Sequence, residues 1–267
     1  MPRVSVIIPV FGETPHLAAC RNALGVQTFR DFEVVECTPT PSSLVRPNAG
    51  MARNKGLAQA SGDWIAFVDA DDLPMSDMLG DAVAAGDEAN ADIVVFDAVE
   101  FDDRTQLETP LPIRINAGLG DDVRFTSFGT CVWNKLFRTS YIRRYGIRFQ
   151  EIARSNDLAF CVEALARTDR IAVLPRVLYR YRINSGGLQS TKDKTPDCWR
   201  EALSEARRRI QQARLLPRFS ASLERLERQV AGDNLPGGRF SLRKIIHSIR
   251  RRGLWNFLKH AIGRVMP

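Results

Sequence analysis

Apolar and polar positions alternate in a way that predicts strands and helices in turn along the first part of the chain. Short apolar runs rich in β-branched residues are typical of buried strands, and they occur at 4–10, 32–37, 64–68 and 93–99. The stretches between these runs predict helices at 15–23, 51–60 and 76–90. Such alternation argues for an α/β, Rossmann-like sandwich with a mainly parallel central sheet.

The pattern becomes less regular after residue 102. Polar sequence marked by Pro and Gly predicts loops and short strands, then a turn at 132–137 and a short helix at 139–145. Apolar spacing predicts a further helix at 156–166 and closing strands at 171–174 and 177–182.

Charge is spread unevenly and divides the chain into two parts. Residues 196–267 carry 16 Lys/Arg against 6 Asp/Glu, a net of +10, whereas residues 1–195 carry 22 against 25, a net of −3. We therefore predict one domain at 1–195 and a C-terminal segment of basic helices at 196–267.

The end of that segment, residues 239–267, has no acidic residue and two apolar stripes at helical spacing. Basic amphipathic helices are typical of elements that lie on a membrane surface, so we expect a peripheral membrane contact here. The alternative is a helix pair that packs on the domain or on another subunit. Nucleic-acid binding is not expected, because no known binding module accompanies the charge.

Composition restricts the cellular setting. No apolar run approaches the roughly 18 residues of a spanning helix, and the N-terminal run is too short for a cleavable signal peptide. Five cysteines without close pairing indicate free thiols, and only three histidines argue against zinc. We expect a cytoplasmic protein, at the inner face of the membrane if the tail binds lipid.

Three carboxylates follow the strand predicted at 64–68 directly: Asp69, Asp71 and Asp72. The carboxyl edge of a parallel sheet is where open α/β folds bind ligands. Clustered carboxylates repel one another unless a cation lies among them, and their hard oxygens suit Mg²⁺ or Mn²⁺ together with phosphates. The pattern predicts a site for a metal-bound diphosphate. The alternative is that Asp71 or Asp72 only caps the helix that begins near Ser76.

Six segments follow one another over about residues 3–190: VSVIIPVF (4–11), QTFRDFEV (27–34), NAGMARNKGL (48–57), GDWIAFVDADD (62–72), WNKL (133–136) and YRYR (179–182). This ordered series resembles family 2 glycosyltransferases. The resemblance implies a GT-A fold and an inverting, metal-assisted glycosyltransferase. It would move a sugar from a nucleotide-sugar donor, expected to be UDP-linked, to a glycan or lipid-linked acceptor hydroxyl.

The resemblance also assigns roles to residues at the acidic cluster and beyond it. Asp69 and Asp71 fall on the D-x-D pair, so that Asp69 faces the donor ribose or the metal and Asp71 coordinates the metal. Asp157 falls in the position of the general base, where the family has Glu-Asp and this chain has Asn156-Asp157. The alternative for Asp157 is an N-terminal helix residue that the helix dipole favours.

Further residues are expected to bind the donor. Arg53 and Asn54 match an Ala-Arg-Asn element of the donor pocket, with a solvated helix face as the alternative. Lys135 is expected to neutralise phosphate charge, with an ordinary surface lysine as the alternative. The remaining expected donor contacts are Pro9, Phe11, Glu13 and Glu36.

Two departures from the family pattern affect the donor pocket. The chain has Glu36-Cys37-Thr38-Pro39 where the family has Asp-Asp-Gly-Ser, whose aspartate reads uracil. Gly12 stands where the family has Asn. These departures keep open the alternative of a catalytically inactive GT-A module that acts as a binding or scaffold subunit. A nucleotidyltransferase is less favoured, because no Gly-rich phosphate loop with a basic residue follows the first strand.

Overall fold

The structure is a computed structural model that describes residues 1–10, 14–40, 47–103, 105–111, 120–183 and 198–234, without the side chains of 233 and 234. It divides the chain into two compact units, Met1–Arg225 and Leu226–Pro267. In the second unit the described residues are the end of one helix.

The described residues form eight strands and eight helices. The strands are β1 (Val4–Pro9), β2 (Phe32–Cys37), β3 (Trp64–Phe67), β4 (Leu73–Pro74), β5 (Ile93–Asp102), β6 (Glu108–Leu111), β7 (Lys135–Arg138) and β8 (Ile171–Ile183). The helices are α1 (Leu17–Gly25), α2 (Ala49–Gln59), α3 (Met78–Glu88), α4 (Arg124–Phe128), α5 (Thr139–Tyr145), α6 (Leu158–Ala166), α7 (Cys198–Gln212) and α8 (Leu216–Asn234).

All eight described strands join one sheet in the order β2-β1-β3-β7-β5-β8-β4, with β6 paired to β5. The pairs β1–β2, β1–β3 and β5–β8 are parallel. Strand β7 runs antiparallel between β3 and β5, and β4 and β6 also pair antiparallel. The predicted α/β class is confirmed, and the sheet is mixed because β7 divides its parallel parts.

Strand β7 lies where the sequence predicted only a turn at 132–137. Its four residues are too few to show a period, and both of its neighbours supply the hydrogen bonds that hold it. The two closing strands predicted at 171–174 and 177–182 are a single strand, β8. Its register jumps from Leu174 to Val177, so that Pro175 and Arg176 form an irregularity at the predicted break.

The core lies on both faces of the central strands. Every residue of β1 and β3 is buried, as expected for strands covered on both sides. On one side, Phe67, Phe137, Phe149 and Phe160 form an aromatic cluster with ring centroids 4.2–5.9 Å apart. Helix α2 lies so close to β1 that a Cβ on Gly56 would stand 2.4 Å from Ile7, so this contact requires glycine.

Helix α7 packs against α6, and the Arg209 guanidinium contacts Glu163 at 3.2 Å. The first part of α8 joins α4 because Phe125 N donates to Ser222 Oγ at 3.0 Å. The compact unit therefore extends to Arg225. The boundary predicted at residue 195 and the predicted membrane segment 239–267 both lie outside the described residues. No helix in the described part of the chain combines the length and apolar character that crossing a bilayer requires.

Candidate active site

The acidic cluster forms a tight turn at the carboxyl end of β3. Val68 N still donates to Ile7 O of β1 at 3.0 Å, and Asp72 N then donates back to Asp69 O at 3.0 Å. Asp69 and Asp71 are half-buried, whereas Asp72 is fully buried. Helix α3 begins later, with Asp77 at its N-cap, so the alternative that Asp71 or Asp72 caps this helix is wrong.

Asp72 faces the protein interior. Its carboxylate accepts hydrogen bonds from the Tyr179 hydroxyl at 2.9 Å and from Arg182 N at 2.7 Å. Burial, together with the nearby charges of Asp69 and Asp71, raises the pKa of Asp72 well above its usual value. Asp72 is therefore directed into the protein, whereas Asp69 and Asp71 are the partly exposed carboxylates of the turn.

Arg53 connects the acidic turn to the start of α6. The guanidinium is buried, and it donates to Asp69 Oδ1 at 2.6 Å and to Asn156 Oδ1 at 2.7 Å. Asn48 fixes the start of α2, because its Oδ1 accepts from Met51 N at 3.0 Å. Arg53 is therefore not part of a solvated helix face. Its Nε atom is buried and has no partner among the described residues.

Asp157 stands at the N-cap position of α6, but its side chain makes no capping hydrogen bond. The alternative of an N-terminal helix residue that the helix dipole favours is compatible with this position, and both interpretations stay predictions. Burial raises the pKa of Asp157; the nearby cations Arg53 and Lys135 lower it, and Asp69 raises it. A carboxyl group with a raised pKa and no capping bond has the chemistry of a proton acceptor.

Lys135 lies inside the protein and is fully buried. Its ammonium donates to Phe128 O, Cys131 O and Asn134 Oδ1 at 2.7–2.8 Å, which satisfies all three of its N–H groups. The alternative of a surface lysine is wrong, and the geometry does not support the predicted phosphate contact. The apolar residues around Lys135 in the sequence could have indicated its burial, since Lys135 begins the buried strand β7.

Asn54 and Pro9 also have structural partners. The Asn54 amide exchanges hydrogen bonds with Phe149, donating to its carbonyl at 3.0 Å and accepting from its N–H at 2.8 Å. Pro9 is buried at the end of β1 and lies opposite Cys37. Donor contacts from both residues stay predictions. Phe11 and Glu13 lie outside the described residues.

Glu36 lies near the carboxyl end of β2 and is exposed. It forms a two-pronged ion pair with Arg21 of α1, in which Nε and Nη2 each donate to one carboxylate oxygen at 2.6 Å. These hydrogen bonds lower the pKa of Glu36. Sequence reasoning gave no role to Arg21 because a single arginine on a predicted helix resembles any solvated charge.

The residues present fit a divalent metal that takes most of its ligands from elsewhere. No three His, Cys, Asp or Glu side chains in the described ranges converge closely enough to hold an ion by themselves. Mg²⁺ is commonly bound through one or two carboxylates, with substrate phosphates and water completing its shell. Asp69 and Asp71, at the sheet edge, meet that smaller requirement.

The chain has counterparts among known proteins in sequence and in fold. Residues 45–146 match the sequence model of Glycosyl transferase family 2. The uncharacterized glycosyltransferase EpsJ of Bacillus subtilis is 28% identical over 217 residues, which cover 70% of this chain and 63% of EpsJ. TarS of Staphylococcus aureus, a poly(ribitol-phosphate) beta-N-acetylglucosaminyltransferase, is 26% identical over 70% of this chain and 36% of its own length. The chain thus spans less than two thirds of these curated relatives.

Solved structures share the fold. TarS residues 1–349 with UDP-GlcNAc superpose with a TM-score of 0.64 at 19% identity, covering 86% of this chain and 71% of that one. The mannosyltransferase PcManGT of Pyrobaculum calidifontis, in complex with GDP-Man and Mn²⁺, gives 0.54 at 18% identity, covering 84% and 68%. The fold shared with TarS is the GT-A fold, as the sequence predicted. The match of residues 45–146 to Glycosyl transferase family 2 agrees with the resemblance found in the sequence.

Proposed function

We propose that this chain transfers a sugar from a nucleotide-sugar donor to an acceptor hydroxyl, with inversion at the anomeric carbon. The observation that carries the proposal is the pairing of Asp69 and Asp71 at the sheet edge, with Arg53 linking Asp69 to the residue before Asp157. TarS has been solved with UDP-GlcNAc and PcManGT with GDP-Man, which supports a nucleotide-sugar donor here.

The acidic turn holds the diphosphate end of the donor. Asp71, with Asp69, would bind Mn²⁺ or Mg²⁺, which when bound stabilises negative charge on the departing nucleotide diphosphate. Arg53 orients Asp69 through its ion pair at 2.6 Å. Its buried, unpartnered Nε is a donor that the bound substrate or a water would satisfy.

Asp157 acts as the general base. An acceptor hydroxyl is a weak nucleophile at neutral pH, so a carboxylate beside it must take its proton as it attacks the anomeric carbon. Attack from the face opposite the diphosphate inverts that carbon in one displacement, and no covalent enzyme nucleophile is needed. Asn156 supports this arrangement by anchoring Arg53 next to Asp157.

The acceptor is a glycan or a lipid-linked sugar. The name of TarS gives a poly(ribitol-phosphate) acceptor for that protein, which supports a polymeric acceptor for this one.

The basic segment 239–267 would hold the enzyme at an anionic membrane surface. Truncation after Pro236 should abolish co-sedimentation with anionic liposomes, and salt should weaken it for the full chain. Equal sedimentation of both proteins would refute membrane contact through the tail.

A catalytically inactive binding module is the second candidate. It is favoured by Glu36, which stands in the base-reading position and engages Arg21 with both carboxylate oxygens. The two candidates differ in one observable, because an inactive module would bind a glycan without any metal-dependent nucleotide binding.

A thermal-shift panel tests the proposed function. UDP, GDP and their common sugar conjugates are added to the full chain with Mn²⁺ or with EDTA, since a ligand specific for the folded state raises the melting temperature by mass action. We expect one nucleotide series to raise it only with Mn²⁺. No shift with any nucleotide would overturn the transferase proposal and favour the inactive module.

A further inference from the structure

Strand β8 contacts the acidic turn through a tyrosine hydroxyl. Tyr179 is fully buried, and its oxygen accepts a hydrogen bond from Asp69 N at 3.1 Å. The same hydroxyl donates its proton to Asp72 Oδ2 at 2.9 Å. One side-chain atom therefore joins the first and last aspartates of the turn, which only a group that both donates and accepts can do.

Arg182, three positions beyond Tyr179 on β8, adds a second connection to the turn. Its backbone N–H donates to Asp72 Oδ1 at 2.7 Å, and its Nε donates to the carbonyl of Asp71. Its guanidinium also pairs with Asp103 and lies over the buried ring of Phe101. Arg182 is thus held from two further directions while it holds the backbone of Asp71.

Both connections are rigidly supported. Trp133 stacks on Tyr179 with ring centroids 5.0 Å apart and planes 15° apart. Immediately after the turn, β4 pairs with β8, with Pro74 opposite Tyr179. Met75 N then donates to Leu178 O at 2.9 Å. The turn is bounded by β3 on one side and by β8 on the other.

We propose that Tyr179 and Arg182 are positioning residues, which fix the backbone of the acidic turn so that Asp69 and Asp71 present their carboxylates together to the metal-bound diphosphate. This inference rests on the proposed function. Both residues act through their hydrogen bonds to the turn. Without them, the turn loses hydrogen bonds to the backbone of Asp69 and Asp71 and to the Asp72 carboxylate, so mutual repulsion among the three aspartates can move them apart.

The variant Tyr179→Phe tests the inference, because it removes the hydroxyl and keeps the ring. Tyr141→Phe is the matched control: Tyr141 is also buried, and its hydroxyl donates to Ala164 O at 2.6 Å. Both variants lose a buried hydroxyl, so both should melt at a lower temperature. Calorimetry with UDP and with GDP, each with Mn²⁺ and with EDTA, then separates stability from positioning.

We expect Tyr179→Phe to weaken Mn²⁺-dependent nucleotide affinity roughly tenfold, from the loss of two hydrogen bonds to the turn, and Tyr141→Phe to leave it unchanged. Equal affinity in wild type and Tyr179→Phe, with normal Mn²⁺ dependence, would overturn this inference and leave the proposed function standing. A wild-type chain that binds neither nucleotide with Mn²⁺ would overturn both.

Arg182→Lys provides a second variant in case Tyr179→Phe fails to fold. Lysine keeps a positive charge near Asp103 but cannot reproduce the planar donor to the Asp71 carbonyl. Weaker Mn²⁺-dependent affinity, with a melting temperature near that of wild type, supports the positioning role. Unchanged affinity would overturn it for Arg182.

Discussion

Two arginine–carboxylate pairs involve residues expected to bind the donor, and the two pairs differ mainly in burial. Arg53 and Asp69 meet at 2.6 Å with side chains 7% and 25% exposed. Arg21 and Glu36 also meet at 2.6 Å, but with side chains 56% and 31% exposed. The first pair is surrounded by further partners, whereas water competes for the second.

The two pairs also differ in how closely their residues match the family pattern. Arg53 and Asp69 lie in segments that resemble the family, and the fold holds each through several contacts. Glu36 departs from the family and lies where an exposed ion pair contributes little to stability. The fold therefore constrains the acidic turn strongly and the end of β2 weakly. Under the proposed function, this difference would let the preference for a nucleotide base change without loss of the domain.

The largest effect is expected for Asp157→Asn, which leaves both pairs in place. Turnover should fall by about 10²-fold or more because the proton acceptor is lost, while donor affinity stays close to wild type. Transfer rate and calorimetric donor affinity should be measured together. Asp169→Asn is the control, since Asp169 pairs with Arg124 and Arg218 instead. A near-normal rate would move the base elsewhere, to Glu151 or Glu163.

Matched Arg→Met variants compare the two pairs directly. Arg53→Met should lower the free energy of unfolding by about 2 kcal/mol, because it leaves Asp69 and buried Asn156 without their donor. Arg21→Met should leave the melting curve close to wild type. Denaturant titration of both variants measures the difference. Equal losses would contradict the account of burial given above.

The pH dependence of kcat/KM sharpens the same comparison. The base must be deprotonated, so activity should rise with pH through the raised pKa of Asp157. Arg53 lowers that pKa, and its removal in Arg53→Met should therefore move the acid limb to higher pH. Arg53→Lys keeps the charge and should keep the limb in place. If the acid limb of the pH profile does not move in Arg53→Met, the group that titrates in that limb is not Asp157.

The smallest effect is expected at the end of β2. Glu36→Asp restores the family's shorter carboxylate but shortens its reach to Arg21. We expect the ratio of UDP to GDP affinity to change several-fold, with the melting temperature unchanged, because a single hydrogen bond to a base is at stake. Calorimetry with both nucleotides measures the ratio. An unchanged ratio would remove Glu36 from base recognition.

The sequence predicts the strands and helices of the first half because they are marked by continuous apolar runs or by helical spacing. It misses β7, since Lys135 and Arg138 leave only two apolar residues between them and its pairing comes from β3 and β5. It also divides β8 incorrectly into two strands, because Pro175 interrupts an otherwise continuous pattern.

The sequence also locates the acidic turn, because three aspartates directly after a buried run are a local signal. It does not predict the partners of the turn. Tyr179 and Arg182 lie more than 100 positions away, and only the closure of the sheet brings β8 to Asp72. The predicted phosphate contact of Lys135 rested on its charge, and charge alone does not reveal burial. In the structure its three acceptors lie in the segment just before it, which surrounds the ammonium.

Calorimetry of Asp71→Asn tests the central claim most directly, which is that the acidic turn binds a metal-bound nucleotide diphosphate. Wild type, Asp71→Asn and the control Asp169→Asn are titrated with UDP and with GDP, each with Mn²⁺ and with EDTA. We predict that wild type and the control bind one nucleotide in a Mn²⁺-dependent manner. Asp71→Asn should no longer depend on Mn²⁺ and should bind that nucleotide at least about tenfold more weakly. Its melting temperature should equal that of wild type. Undiminished Mn²⁺-dependent affinity in Asp71→Asn would contradict the account.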